Sequence, residues 1–109
     1  MHCHKLKILS QRKAGFIGVR EGHNLVHLRF NNIMLNFSFT DFLSFRRTTK
    51  LLMRNECRVL LPDGSEKVVL RTPYQGVNFL FSEREIRSLV NLMDEAYYFQ
   101  QIYSLLQSE

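Results

Sequence analysis

The chain carries one local pattern twice, and this near-duplication constrains its fold more than any other feature. Phe16-Ile17-Gly18-Val19-Arg20 leads into Glu21-Gly22 and then Leu25-Val26-His27-Leu28-Arg29. Val59-Leu60-Leu61 leads into Pro62-Asp63-Gly64 and then Val68-Val69-Leu70-Arg71. Glycine behind an acidic residue, between two apolar runs, marks a hairpin turn, because glycine accepts the positive φ such turns require. The two turns lie 42 positions apart, Gly22 to Gly64. A third apolar run follows each hairpin, Asn32–Ser38 and Gly76–Ser82, now at an offset of 44. Each ends in a helix start. Ser82-Glu83-Arg84-Glu85 is a capping box, in which the serine oxygen accepts an orphan amide proton and the glutamate reaches back. Ser38-Phe39-Thr40-Asp41 keeps the spacing with a shorter acid. The chain therefore reads as strand, strand, strand, helix, twice, over pseudo-repeats of about 15–54 and 57–108.

The helices differ in length. The first is expected from near Thr40 to Arg54-Asn55, with Phe42, Phe45 and Leu52 toward a core. The second is expected from Glu83 to near Gln107, without an internal Pro or Gly. Ile86, Leu89, Met93, Ala96 and Tyr103 repeat at helical spacing. Val90, Tyr97, Tyr98, Phe99, Ile102, Leu105 and Leu106 widen that stripe beyond what one sheet can cover. A leading strand is expected at Lys5–Ser10, with Leu6 and Ile8 facing one way and Lys5 and Lys7 the other, before a short basic turn at Gln11–Ala14. The expected fold is a single α+β domain over residues 1–109: an antiparallel sheet of about seven strands with two helices on one face.

Composition narrows the class. Nine Phe, four Tyr, five Gly and two Pro among 109 residues exclude a disordered or collagen-like chain. No apolar run approaches the ~20 residues of a membrane span. Met1-His2-Cys3-His4-Lys5 has no signal-peptide core, and two cysteines make no disulfide framework, so a cytoplasmic location is expected.

Charge is uneven. Residues 1–54 hold ten Lys/Arg against two Asp/Glu; residues 55–109 hold five against eight. Arg46, Arg47, Lys50 and Arg54 are expected on the solvent face of the first helix, where they would contact phosphate. Asp94 and Glu95 are expected on the outer side of the second. Lys13–Val19 resembles the RNA-recognition-motif strand, yet it has one aromatic where two or three are needed and no βαββαβ order around it. Aromatics and cations are not interleaved along the chain, which implies at most weak, non-specific nucleic-acid binding.

Other chemistry is sparser. Cys3, His4 and His23 form a conceivable three-ligand metal set if the leading strand pairs beside the first hairpin, but no C-x-x-C accompanies them. Cys57 has no readable histidine partner, Ser38 and Ser82 serve as caps, and no carboxylate pair stands out. The balance leans away from an enzyme, and no cofactor is expected.

Cys3-His4, Gly18-Val19-Arg20, His27-Leu28, Leu35-Asn36-Phe37-Ser38 and Asp41-Phe42 resemble small uncharacterised bacterial proteins of Bacteroides-type organisms. That resemblance covers about 40 residues and implies a Cys/His pair near the start and a C-x-x-C at the first hairpin turn. Here the turn is Arg20-Glu21-Gly22-His23-Asn24, without cysteine. The resulting expectation is a non-enzymatic interaction protein that self-associates as a homodimer through Tyr97, Tyr98, Phe99, Ile102, Leu105 and Leu106. The alternatives are nucleic-acid association through the basic half and, more remotely, degenerate metal binding.

Overall fold

The computed structural model describes residues 6–20, 22–54 and 58–107. In chain order the elements are β1 (Leu6–Arg12), β2 (Gly15–Arg20), β3 (Leu25–Phe30), β4 (Ile33–Ser38), α1 (Phe39–Arg54), β5 (Arg58–Leu60), β6 (Glu66–Arg71), β7 (Asn78–Phe81) and α2 (Glu83–Gln107). The fold is α+β, and all seven expected strands are present, joined antiparallel. They form two sheets rather than one: β1-β2-β3-β4 and β5-β6-β7. The helix α1 intervenes between β4 and β5 and packs against β3, β4 and β6, and among the described residues β5 to β7 pair only with one another.

Local chemistry accounts for the joints. Gly22 and Gly64 take φ of 80° and 87°, as the hairpin turns require. Asp63 Oδ1 accepts from the Ser65 amide at 2.9 Å and from its hydroxyl at 2.6 Å, and these bonds hold the Asp63 carboxyl below the usual aspartate range. Ser38 Oγ accepts from the Asp41 amide at 3.1 Å. The capping box closes in both directions: Glu85 N donates to Ser82 Oγ at 3.2 Å, and Ser82 N donates to Glu85 Oε1 at 2.9 Å.

One face of each sheet supplies the core. Val26, Leu28 and Phe30 of β3 alternate inward, as do Leu35 and Phe37 of β4. Val68, Leu70 and Phe81 do so in the second sheet, and both groups join Phe42, Phe45, Ile86, Leu89, Leu92 and Met93 in one cluster. Phe30 and Phe81 meet edge to face at 5.4 Å, linking the two sheets directly. The first strand departs from its expected role. Leu6 and Ile8 do share a face, but Ile8 lies on the outer one, and Lys7 turns inward with its ammonium 3.4 Å from the Tyr103 ring centroid. A bulge explains the swap. Ile8 pairs with Gly18 and Ser10 with Ile17, leaving Leu9 as the extra residue, so Leu9 and Ser10 are both buried. Ser10 Oγ donates to the Leu92 carbonyl at 2.9 Å, which satisfies that buried hydroxyl. The strand also runs on to Arg12, and the turn shrinks to Lys13-Ala14.

Candidate functional site

The C-terminal third of α2 is the first candidate surface. At about 100° per residue, Tyr98, Phe99, Ile102, Leu105 and Leu106 share an arc of about 120°. The buried residues Ile86, Leu89, Val90, Leu92, Met93 and Ala96 point nearly the opposite way. Further up the helix the outer arc carries Arg84, Arg87 and Asn91, all exposed. Below Ala96 the outer arc becomes apolar, while the core side mixes Gln100, Ser104 and Gln107 with Tyr97 and Tyr103, which still pack against the core. Tyr98 is 62% exposed, Phe99 39%, Leu105 69% and Leu106 64%; Ile102 is half-buried. Phe99 and Leu106 are therefore not folded back into the monomer. Tyr97 has a different environment: it packs toward α1, with the Arg46 guanidinium 4.3 Å from its ring centroid and its hydroxyl accepting from Gln101 at 2.8 Å. A groove of about 680 Å³ opens between the start of α1 and this part of α2, lined by Phe39, Leu43, Tyr97, Gln100 and Leu105.

The α1 cations lie differently from the sequence expectation. Arg46 Nε donates to Asp94 Oδ1 at 2.8 Å, and Lys50 Nζ stands 3.2 Å from Asp94 Oδ2. Both turn toward α2 instead of open solvent, while Arg47 is exposed. The Arg54 side chain lies outside the described residues. Asp94 and Glu95, expected on the outer side of α2, are half-buried clamps: Asp94 holds α1, and Glu95 holds Arg12 of β1 at 2.9 Å. Spacing alone could not find these partners, because they join elements more than forty residues apart.

The outer face of the four-stranded sheet is a second surface, and linear reading missed it. Strand register lays Gln11, Phe16, Arg29 and Met34 in one row across β1 to β4. The next row is Ile8, Gly18, His27 and Asn36. Arg20 follows on β2, opposite Leu6. The Arg29 guanidinium sits 5.6 Å from the Phe16 ring centroid and donates to the Asn31 carbonyl at 2.7 Å. His27 Nδ1 meets Asn36 Oδ1, and its Nε2 has no hydrogen-bond partner among the described residues. The Tyr74 hydroxyl donates to the Asn36 carbonyl at the edge of this face. None of β1 to β4 contains an acidic residue. The signal available in the sequence was the 13-residue separation of Phe16 and Arg29 about the Gly22 turn, which pairs them only once the register is fixed.

Of the metal candidates, Cys3 and His4 lie outside the described residues, as does Cys57; His23 is exposed in the β2–β3 turn. Among the described residues no three His, Cys, Asp or Glu side chains are grouped as a metal site would need. Among the same residues no helix is long and apolar enough to cross a membrane. The chain belongs to a family of unknown function (DUF6686), whose family model matches residues 1–109. No curated protein and no solved structure matches it.

Proposed function

We propose that this member of that family is an interaction protein that works as a homodimer, joined through the C-terminal third of α2. The apolar outer arc below Ala96 carries the reading. A helix that served only its own core would keep its apolar residues on the buried side, as Ile86 to Ala96 do. Residues 96–107 contain no charged side chain, so two copies can bring these segments together without charge repulsion. Covering a large apolar side chain fully is worth roughly 1.5–3 kcal/mol. Two copies of the partly exposed Tyr98, Phe99, Leu105 and Leu106 recover roughly 7–14 kcal/mol, the same size as an association cost of roughly 4–15 kcal/mol, which places association in the micromolar range or weaker. The groove beside Leu105 gives the partner helix a concave site.

Sedimentation equilibrium at micromolar concentration tests the proposal. The expected mass is twice 13.0 kDa, and Leu105→Glu with Leu106→Glu should return it to 13.0 kDa with unchanged far-UV circular dichroism. A wild-type chain that stays at 13.0 kDa throughout ends the proposal.

The two halves are read as a duplicated unit, each sheet giving a single face to the helices. Positive φ at both Gly22 and Gly64, and serine caps at both Ser38 and Ser82, support this. An experimental structure in which β2–β4 with α1 fails to superpose on β5–β7 with α2 would reject it.

A further inference from the structure

We infer that the outer face of the β1–β4 sheet binds single-stranded nucleic acid, with Phe16 as the stacking platform and Arg20 and Arg29 as the phosphate contacts. The linear sequence gives no interleaving of aromatics and cations, but the sheet register creates it. Phe16 and Arg29 are directly opposed across β2 and β3, so a base can lie over the ring while the guanidinium serves both ring and phosphate. Arg20 lies on the same face of β2, four residues along from Phe16, at about 13 Å by strand geometry. Asn36, exposed in the row between these positions, offers its amide nitrogen to a base edge, while His27 is held against its oxygen and has Nε2 buried.

Charge complementarity selects the occupant. The four strands contain no carboxylate, so a polyanion crossing this face meets none from the sheet itself. The α1 cations are a poorer site, because Arg46 and Lys50 are already engaged by Asp94. Exposed Ile8 on β1 and Met34 on β4, flanking the two arginine-bearing strands, suit the flat apolar surface of bases better than a folded duplex, whose bases are already stacked. An acidic polypeptide would satisfy the arginines but leave Phe16 without a stacking role.

Fluorescence anisotropy of the full chain with a labelled oligothymidine of about 20 nucleotides decides the matter. At about 50 mM salt, the single strand should bind at micromolar protein and at least fivefold more tightly than a duplex of equal length. With two or three phosphates neutralised, log K should fall with log salt at a slope of about −1.4 to −2.1. The pair Arg20→Glu and Arg29→Glu should weaken binding at least tenfold, whereas Arg47→Glu should change it less than twofold. Phe16→Leu, which keeps apolar bulk, should weaken binding at least threefold, with circular dichroism and Tm showing that each variant folds. Absence of binding at 100 µM protein overturns the inference. So does equal affinity for duplex, or polyglutamate competing as well as oligothymidine with Phe16→Leu silent, which would make the face a site for acidic peptide. If Arg20→Glu and Arg29→Glu destroy the fold, Arg20→Gln with Arg29→Gln replaces them, and the same tenfold criterion applies.

Discussion

Gly15 shows how a single residue sets the geometry of the first sheet. A Cβ placed on it would lie 1.8 Å from the Arg29 carbonyl oxygen, a backbone atom that cannot move without shifting β3. The close approach of β2 and β3 therefore depends on an absent side chain. Gly15→Ala should cost more than about 2 kcal/mol, since the clash falls inside a packed sheet and not on a mobile side chain. Urea unfolding of the variant measures this, and a loss under about 0.5 kcal/mol would show that the strands have room to spare. Thr49 illustrates the opposite case. It is fully buried in α1, and its hydroxyl donates to the Phe45 carbonyl at 2.7 Å, so a β-branched residue of modest helix propensity is accommodated without an orphaned polar group.

Among the elements, α2 divides into a part that holds the fold and a part that does not. Leu92 is 1% exposed, and Leu92→Ala should cost about 2–5 kcal/mol by leaving a cavity. Leu105→Gln with Leu106→Gln should change the stability of the isolated subunit by no more than about 0.5 kcal/mol for each substitution. Unfolding below the dissociation concentration separates the two effects, and equal losses would contradict the division. The bounds of this helix were legible in the sequence because Ser82, Glu85 and an unbroken run without Pro or Gly leave few alternatives. The hairpins were legible from Gly22 and Gly64 for the same reason. The division into two sheets was not, since short apolar runs state that strands exist but not which edges pair. The inward turn of Lys7 was hidden by the one-residue bulge at Leu9, which changes the facing of the strand beyond it. The α2 apolar surface was legible as an excess of hydrophobic residues, and its outward arc only once the core side of the helix was known. The Phe16–Arg29 pair belongs to register, which no window of residues contains.

For the whole molecule, one core cluster drawn from both sheets and both helices implies one cooperative unit. Unfolding in urea, followed by far-UV and by tyrosine near-UV circular dichroism, should give coincident transitions. Separated midpoints would mean that the halves melt independently despite the Phe30–Phe81 contact. The Ser10–Leu92 hydrogen bond spans 82 residues of sequence, and Arg12–Glu95 ties the same two elements. On the ribosome, β1 to β4 can pair early and α1 can cover part of β3 and β4, but the rest of the sheet's apolar side has no lid until α2 has been made and has left the exit tunnel. At roughly 5–20 residues per second, that interval lasts several seconds, during which Ile17, Val26 and Leu28 are open to chaperones or to neighbouring nascent chains. Synthesis order thus makes α2 the step that commits the first sheet to its final state.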